Sequence, residues 1–410
     1  MEVKAGFRKS EIGCYPADWQ IVLLDDVAVR GTGHTPSKGN LNYWKNGKIK
    51  WVSLQDSGRL DKGLIRETAV QITELGLANS SAKIHPLGSV VLSRDAGVGK
   101  SAILSQEMAV SQHFVAWNCK KPLLNWYLYY FLQAQKSEFE RIAMGNTIKT
   151  IGFPYFEKLK IPLPPLPEQQ AIANALSDAD ALIESLEQLI EKKRQIKQGV
   201  MQELLTGKRR LPGFSGEWER KKLGDLISLK NGYAFKSCSY CDTGKYRVVT
   251  IANVQSGEMK LDSCSKIVDL PGDLQPHQVL KINDFLISMT GNVGRVCFVN
   301  EVDCVLNQRV GKIVPINISE RFLFAVLNDQ AFMKCMIETA KGGAQPNLSS
   351  KDINGFEFNL PLNKEEQLAI ADVFDHVNSE IGALNNKLQK TMRIKQAMMQ
   401  ELLTGKVRLV

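Results

Sequence analysis

The sequence predicts an α+β protein of two tandemly duplicated mixed α/β domains, joined by two long antiparallel coiled-coil helices. The first observation behind this prediction is an internal repeat. Ile196–Leu211 aligns with Ile394–Leu409 at an offset of 198 residues, with 13 identities in 16 positions. Chance does not produce such a match, and a unit of about 200 residues is long enough to form its own hydrophobic core. The second observation is an apolar stripe of coiled-coil period near the end of each copy.

Weaker matches extend the duplication beyond the repeat. Trp19 matches Trp218 near the start of each copy, and Ser111-Gln112 matches Asn307-Gln308 in the interior. The stretches between these anchors have diverged almost completely. Two related scaffolds that carry two different recognition surfaces are the simplest physical account.

Composition limits the class of protein. The 410 residues are 44% hydrophobic and carry a net charge of +9, which favours an anionic partner such as nucleic acid. An ordinary basic protein stays an alternative. The sequence has no apolar run of about 18 residues and no signal peptide at its beginning, so we expect a cytoplasmic bacterial or archaeal protein without membrane contact. The eight cysteines are expected to be reduced thiols.

The first part of each copy is predicted to be rich in short strands separated by Gly, Asn and Ser loops. The predicted strands are Ile21–Val29, Ile49–Leu54, Ser89–Ser93 and His113–Trp117 in copy one, and Lys222–Leu229, Tyr246–Ile251, Asp284–Ser288 and Arg295–Val299 in copy two. An amphipathic helix follows in each copy, at Asn125–Met144 and Ser319–Lys341. Asn125 and Ser319 are the expected N-caps, and a glycine comes directly after each helix.

A long helix ends each copy, at Glu168–Leu205 and Glu366–Leu403, with prolines before it and Gly207 or Gly405 after it. The apolar residues of these helices recur at alternating spacings of three and four. They are Ile172, Ala175, Ala179, Leu182, Leu186, Leu189, Ile196 and Val200 in the first helix, and Ile370, Phe374, Val377, Ile381, Leu384 and Leu388 in the second. Such a narrow stripe needs a partner, and we expect the two helices to pack on each other. Two separate helices, each packed on its own domain, are the alternative.

The ends of the copies predict how the parts are connected. Because the segment that links copy one to copy two recurs at the C-terminus, the C-terminus is expected to return to the start of copy one. The arrangement would then be nearly circular, with a pseudo-twofold axis. The predicted parts are 1–163 (first recognition domain), 164–211 (central helix and linker), 212–361 (second recognition domain) and 362–410 (C-terminal helix).

Two short motifs are interpreted as structural rather than chemical. Gly97–Ser101 resembles the end of a phosphate-binding loop, but Arg94 stands where the motif needs its first glycine. We therefore expect a β-turn with a basic tip. Cys238 and Cys241 form a single CxxC pair, whereas a zinc site needs two further ligands. We expect ordinary thiols and no metal.

The sequence contains no convincing motif for catalysis: no methyltransferase cofactor turn, no nuclease carboxylate–lysine cluster and no G-x-S-x-G. We therefore expect no catalytic residue in this chain. Polar and aromatic loop residues are better candidates, because Asn, Gln and Arg pair with base edges and aromatic rings stack on bases. The candidate DNA contacts are Lys38, Asn40, Asn42, Tyr43, Lys45, Arg94, Lys100, Gln112, Asn253, Gln255, Asn292, Arg295, Gln308, Arg309, Gln345 and Asn347.

Together these features resemble the specificity subunit of type I restriction-modification systems. The resemblance covers essentially the whole chain. It rests on Pro162–Ala173 (PLPPLPEQQAIA), on its degraded copy Pro361–Ala371, and on the paired KQ-x-x-MQELLTG segments. One departure is Asn363–Glu365, which replaces the central Pro-Leu-Pro of the first copy.

The resemblance implies two target-recognition domains, each of which reads one half of a bipartite, asymmetric site in double-stranded DNA. It implies a coiled coil that sets the spacer between the halves and docks two modification subunits, which bind S-adenosylmethionine and methylate adenine. Two restriction subunits, which use ATP and Mg²⁺, would complete the complex. No cofactor is expected on this chain.

Two other functions compete with this one. A free-standing bipartite DNA-binding regulator would bind DNA tightly without partner subunits. An enzyme that uses Gly97–Ser101 would bind ATP or GTP and depend on Lys100.

Overall fold

The computed structural model describes residues 6–145, 149–262, 264–340 and 346–409. The chain divides into two compact units. Unit 1 combines Met1–Glu187 with Asn386–Val410, and unit 2 is Gln188–Asn385. Each long helix therefore contributes one part to each unit.

In its described residues, unit 1 contains short strands, five short α-helices and parts of the two long ones. Its strands are β1 (Phe7–Ser10), β2 (Gly13–Pro16), β3 (Gln20–Leu23), β4 (Ala28–Thr32), β5 (Ile49–Val52), β6 (Leu64–Ile65), β7 (Val70–Ile72), β8 (Ile84–His85), β9 (Val90–Ser93), β10 (Ser101–Leu104), β11 (Met108–Val110), β12 (Phe114–Cys119) and β13 (Lys160–Leu163). Its helices are α1 (Leu24–Val27), α2 (Glu74–Ala78), α3 (Asn125–Ala134), α4 (Lys136–Ile142) and α5 (Phe153–Glu157), followed by the long α6 (Leu166–Leu205).

Unit 2 repeats this order after α6. Its strands are β14 (Trp218–Lys222), β15 (Ile227–Asn231), β16 (Tyr246–Val249), β17 (Val254–Gln255), β18 (Glu258–Met259), β19 (Lys266–Ile267), β20 (Val279–Leu280), β21 (Phe285–Ser288), β22 (Val296–Phe298), β23 (Cys304–Leu306), β24 (Val310–Pro315) and β25 (Glu357–Pro361). Its helices are α7 (Glu320–Leu327), α8 (Gln330–Thr339), α9 (Ser350–Asn354) and the long α10 (Lys364–Leu402).

The sheets of the two units correspond, except that β6, at the edge of the first sheet of unit 1, has no counterpart in the matching sheet of unit 2. Unit 1 has sheets in the orders β4-β12-β9-β10-β6 and β7-β5-β11-β8, and unit 2 has β15-β24-β21-β22 and β19-β16-β23-β20. One central pair in each unit is parallel, β5 with β11 and β16 with β23. The pairs β3–β13 and β14–β25 connect the start of each unit to the strand that precedes its long helix. The duplication seen in the sequence is therefore a duplication of topology.

Each unit has two main apolar cores. In unit 1 the larger core lies around α3 and the beginning of α6 and includes Trp19 and Trp117. A smaller core around Val52, Val110 and Phe114 joins residues of the two sheets. Unit 2 has the same division. Among the described residues, no helix combines the length and the apolarity that a membrane span requires.

Several predicted elements are interrupted. The predicted strand Ile21–Val29 is divided in the structure into β3, the helical turn α1 and β4. The helical turn forms because it places the side chains of Leu24 and Val27 in the core. Lys222–Leu229 is likewise divided by a short turn at Leu223–Asp225. The predicted helix Ser319–Lys341 is divided into α7 and α8, because the side chain of Asp329 accepts a hydrogen bond from Ala331 N and begins a new helix.

The corresponding helix in unit 1 is also divided, into α3 and α4. Its predicted N-cap is wrong by one residue, since Asn125 is the first helical residue and Leu124 is the cap. The predicted cap Ser319 is confirmed, and its hydroxyl accepts from Phe322 N at 3.4 Å. The ends of the predicted range, Lys341 and the glycine after it, lie outside the described residues.

The two long helices run antiparallel where they meet. In unit 2, Lys193 Nζ donates to Glu380 Oε2 at 2.8 Å and Lys197 Nζ donates to Asn378 Oδ1 at 2.7 Å. The residue numbers on α10 therefore fall as those on α6 rise. In unit 1, Lys395 Nζ donates to Asp180, which is the same contact in the other copy. The alternative of two helices that never meet is wrong.

The apolar seam of α10 has the predicted register, but that of α6 is partly shifted. Ile370 is buried, and Val377, Ile381, Leu384 and Leu388 are half-buried. On α6, Ile172 and Leu186 are buried and Ala179 is half-buried, as the seam requires.

Leu182 and Leu189, however, are 43% and 40% exposed, whereas the neighbouring Ile190 is 4% exposed and Ile183 is half-buried. The seam therefore uses Ile183 and Ile190. Both choices satisfy a three-four alternation between Ala179 and Leu186, so spacing alone does not distinguish them.

Candidate nucleic-acid interface

A pair of loops follows the parallel strands in each unit. In unit 1, Ser111 N donates to Val52 O at 2.9 Å, and in unit 2 Asn307 N donates to Val249 O at 3.1 Å. Because the carboxyl ends of parallel strands lie at the same edge, the loops after β5 and β11 meet. Gln112 and Gln308, the residues that follow, are exposed at this edge.

The first of these loops is a tight turn built in the same way in both units. Ser53 N donates to Asp56 Oδ2 at 2.9 Å in unit 1. Thr250 N donates to Asn253 Oδ1 at 2.9 Å in unit 2. Asn253 is 3% exposed, and its amide also donates to Lys260 O at 2.8 Å. Asn253 is therefore corrected from a DNA contact to a residue that holds the turn.

A β-hairpin lies beside the loop pair. Arg94 N donates to His113 O at 2.9 Å in unit 1, and Met289 N donates to Arg309 O at 2.9 Å in unit 2. The hairpin tip in unit 1 contains Gly97 and Gly99, at φ +94° and +85°, a conformation that glycine adopts without strain. The segment is the predicted β-turn between β9 and β10.

The basic residue at the end of each hairpin is already bonded within its unit. Lys100 Nζ donates to Ser57 Oγ at 2.8 Å. Arg295 Nη1 donates to Gln255 Oε1 at 2.6 Å. These side chains are half-buried and hold the hairpin against the turn. Lys100 thus faces a serine of the same unit, which gives no support to a nucleotide-binding loop.

The other candidates differ in exposure. Lys38, Asn42, Lys45, Gln112, Asn292, Gln308, Arg309 and Asn347 are exposed, whereas Asn40, Tyr43 and Arg94 are half-buried. Gln345 lies outside the described residues. The side chain of Asn40 caps a helical turn by accepting from Asn42 N at 3.1 Å. Asn347 Oδ1 accepts from Thr290 Oγ1 at 2.8 Å, which places it near the hairpin of unit 2.

Sequence reasoning missed a polar cluster next to Gln112. His113 Nδ1 lies 2.7 Å from Asp95 Oδ2, and Thr150 also donates to Asp95. The Arg94 guanidinium lies 4.2 Å from the centre of the Phe153 ring, and Arg94 Nε donates to Ile151 O at 2.9 Å. The alignment of Arg94 and Met289, which begin the hairpins in the two copies, was the available signal. Because an arginine in copy one aligns with a methionine in copy two, the surface of this segment differs between the units.

An ion pair to a buried glutamate anchors the start of each unit to a long helix. In unit 1, Trp19 Nε1 donates to Glu168 Oε2 at 3.0 Å, and Arg408 donates to the same carboxylate. Asp18 accepts from Arg408 as well, at 2.8 Å. The bond to Asp18, with that to Glu168 second, raises the pKa of Arg408 above its usual range. The C-terminal segment of the chain therefore returns to the start of unit 1.

Unit 2 repeats this anchor with its own residues. Trp218 Nε1 donates to Glu366 Oε2 at 3.3 Å, and Arg210 Nη2 donates to it at 2.7 Å. Gly207 packs on the Trp218 ring, where an added Cβ would meet it at 3.2 Å. The repeated glycine and arginine thus have a structural role that is the same in both copies.

The described residues include no group of three or more His, Cys, Asp and Glu side chains that would hold a metal ion. In the described part of the chain, Cys238 is an exposed thiol and Cys241 a half-buried one.

Comparison with known proteins places the duplicated unit in a family. The profile described as "Type I restriction modification DNA specificity domain" matches the chain twice, over residues 16–196 and 215–393. The MjaVIII specificity subunit of a type I restriction enzyme from Methanocaldococcus jannaschii is 27% identical over 410 residues, covering 96% of this chain and 94% of that protein. The EcoKI specificity subunit from Escherichia coli K12 is 23% identical and covers 96% and 90%.

Solved structures show the same fold. The type I restriction-modification S subunit from M. genitalium superposes with a TM-score of 0.61 at 17% identity, covering 98% of each chain. The fold class predicted from the sequence is thereby confirmed. Since the family profile matches both structural repeats, this chain belongs to the type I restriction-modification DNA specificity family.

Proposed function

We propose that this chain is the DNA-specificity subunit of a type I restriction-modification complex, in which each unit reads one half of a bipartite site in double-stranded DNA. The observation that carries the proposal is the double match to the family profile, one match in each unit. Each match contains the same construction: a parallel strand pair, two loops at its end and an adjacent hairpin. The net charge of +9 suits a polyanionic partner.

The exposed ends of these loops supply the proposed contacts. Gln112 in unit 1, and Gln308 and Arg309 in unit 2, are exposed at the same structural positions. Gln pairs with adenine and Arg with guanine in the major groove. Because His113 occupies in unit 1 the position of Arg309 in unit 2, the two units would read different bases. An asymmetric site follows.

The repeated segment of the long helices is the proposed dock for two modification subunits. Ile196 in unit 2 and its repeat Ile394 in unit 1 are each 47% exposed. Gln202 and Gln400, a further identical pair of the repeat, are also exposed. Exposure to water gives no reason for the same apolar residue to occur in both copies, which have otherwise diverged. Binding of the same partner by both copies accounts for their identity.

The remaining components of the proposal follow the family resemblance. The modification subunits would bind S-adenosylmethionine and methylate adenine, and two restriction subunits would use ATP and Mg²⁺. This chain would contribute no catalytic group and no cofactor site of its own. With DNA as its partner, it would act in the cytoplasm of a bacterial or archaeal cell. The free-standing regulator has no support from the comparisons.

Methylome mapping tests the proposal. The chain is co-expressed with the modification subunit of its system in a host without adenine methylation, and methylated adenines are mapped across the genome. We expect one bipartite, asymmetric sequence with a fixed spacer. The matched control is the modification subunit alone, for which we expect no methylation. Methylation without this chain, or a single undivided sequence, would contradict the proposal.

A further inference from the structure

Unit 1 contains a cavity of about 450 Å³ beside the loops that follow β5 and β11. Its volume lies in the range of about 300–1,000 Å³ that small organic ligands occupy in proteins. Trp44, Trp51, Leu54 and Val70 line its apolar part. The rings of Trp44 and Trp51 are 5.2 Å apart and nearly perpendicular, at 76°. The two rings thus contact each other, Trp51 is buried and Trp44 is half-buried, so the stacking surface open to a ligand is that of Trp44.

The polar lining of the cavity includes a buried group without a partner. Ser111 is fully buried, and its Oγ has no hydrogen-bond partner among the described residues. A buried hydroxyl without a partner is costly, and a hydroxyl is able both to donate and to accept. The hydroxyl is closed to solvent, however, so the polar group that a ligand in the cavity would reach is the exposed side chain of Gln112.

The remaining polar side chains of the cavity are basic or neutral. Lys38, Gln112 and His113 belong to the described lining, which includes no carboxylate. Gln112 Oε1 accepts from Thr35 Oγ1 at 2.5 Å, so this amide is held in place. The cavity thus combines stacking surfaces, a buried hydroxyl and a positive charge.

Unit 2 has the same glutamine, Gln308, but differs at two other positions of the lining. The residue paired with β23 in the position of Trp51 is Val248, and Asn307 replaces Ser111. The amide of Asn307 accepts from Arg309 N at 3.2 Å, so that position is satisfied within the unit. A ligand bound in this cavity would therefore affect recognition of the half-site that unit 1 reads.

We propose that this cavity binds a single nucleobase, displaced from the DNA duplex, which stacks on Trp44 and meets the exposed amide of Gln112 with its polar edge. The proposal rests on the proposed function, because DNA is the source of the base. Aromatic stacking and hydrogen bonds to the base edge are how proteins hold a base outside the duplex. A free nucleoside has the same chemistry and is the alternative source.

Mismatched DNA tests the proposal. The complex of this chain with its modification subunit is titrated with duplexes that carry one mismatch at each position of the unit 1 half-site. A displaced base costs less to extrude when it is mispaired. The modification subunit is expected to extrude the adenine that it methylates, so that position is left out of the comparison. At one other position we expect a mismatch to tighten binding by about threefold or more, whereas mismatches elsewhere weaken it.

Trp44 variants supply the second measurement. Trp44→Ala should abolish the tightening and raise the Kd for matched DNA by about 5- to 150-fold, the range that stacking on one base provides. Trp44→Phe should restore part of both effects. Trp126→Ala, which removes a half-buried tryptophan of the same unit outside the cavity, is the matched control, and thermal unfolding of each variant verifies folding.

The outcomes separate the two proposals. If matched DNA binds but no mismatch tightens binding, or Trp44→Ala binds like the parent, the base-binding cavity is overturned and the proposed function stands. If the wild-type complex does not bind DNA, the proposed function fails. In that case the chain is titrated with adenosine, cytidine, guanosine and thymidine, and tryptophan fluorescence shows whether the cavity binds a free nucleoside. Binding lost in Trp44→Ala would assign it to a free nucleoside, and no binding would overturn it.

Discussion

Arg408 donates two hydrogen bonds to the carboxylate of Glu168, a residue 240 positions earlier in the sequence. Glu168 is fully buried, while the side chain of Arg408 is 34% exposed. The same bond joins Arg210 to Glu366 in the second unit. The arginine that ends each long-helix repeat therefore neutralises the buried glutamate at the start of the other long helix. This relationship explains why the last residues of the repeat are retained in both copies.

Loss of this arginine should destabilise unit 1. Arg408→Gln leaves the Glu168 charge buried with Trp19 as its remaining side-chain donor among the described residues, and we expect a loss of about 2–3 kcal/mol in the free energy of unfolding. Urea unfolding measures it. The control is Arg141→Gln, because Arg141 forms an exposed pair with Glu138, and solvent screens such a pair so that it contributes little to stability. Equal effects of the two variants would contradict the role of the anchor.

The corrected register of α6 predicts different effects for adjacent residues. Ile190→Ala removes a side chain that is 4% exposed and should cost about 2–3 kcal/mol. Leu189→Ala removes a side chain that is 40% exposed and should cost less than about 1 kcal/mol. Urea unfolding of the two variants compares them directly. A larger loss of stability in Leu189→Ala than in Ile190→Ala would support the register that was predicted from spacing alone.

Unit 1 should lose stability in alkali. Burial raises the pKa of Tyr127, Tyr129 and Tyr130 above the usual value, which is about 10. Above pH 10 the unfolded chain releases these protons while the folded chain retains them. The stability they contribute is therefore complete below about pH 10 and falls as the pH rises further.

Tyr130→Phe should make this fall shallower by the contribution of one group. Its hydroxyl donates to Asp180 Oδ2 at 2.9 Å, so the variant is also expected to be less stable at neutral pH. Unfolding free energies at several alkaline pH values give both quantities. An unchanged slope in the variant would show that other groups, such as lysines, dominate the alkaline transition.

Assembly with modification subunits should depend on the exposed repeat. Ile196→Ser and Ile394→Ser, taken singly, should each leave one modification subunit bound, and the double variant should bind none. Native mass spectrometry counts the subunits. Leu362→Ser is the control, because Leu362 is 51% exposed but lies outside the repeat. Full assembly of the double variant would show that the modification subunits bind at another surface.

Asn253 and Arg309 should separate stability from recognition. Asn253→Ala removes the amide that holds the Thr250 turn and should lower stability by about 1–3 kcal/mol without changing the methylated sequence. Arg309→Ala should leave stability nearly unchanged and relax one position of the half-site read by unit 2, at about 1–3 kcal/mol. Thermal unfolding and methylome mapping measure the two effects. A change in the methylated DNA sequence of Asn253→Ala would indicate that this residue contacts DNA after all.

Local signals predicted most elements but not their interruptions. The strands and the two long helices follow from apolar periodicity, which is a property of neighbouring residues. The break at α1 depends on what the segment packs against, whereas the break between α7 and α8 depends on the cap at Asp329, which apolar periodicity does not show. The seam of α6 shows the same limit, because Leu182 and Ile183 fit the period equally well. The repeat offset would have chosen correctly, since it aligns Ile183 with Ile381 but Leu182 with Glu380.

The sequence by itself determined that the chain is a duplication, that two long helices end its copies and that its family reads DNA. These properties lie in repeats and periods, which are one-dimensional. The tertiary structure alone decided that Asn253 and Lys100 are occupied within their units, that Arg408 pairs with Glu168, and that Trp44, Trp51 and Ser111 surround one cavity. Burial and hydrogen bonding depend on residues far apart in the chain, and no local pattern records which of them meet.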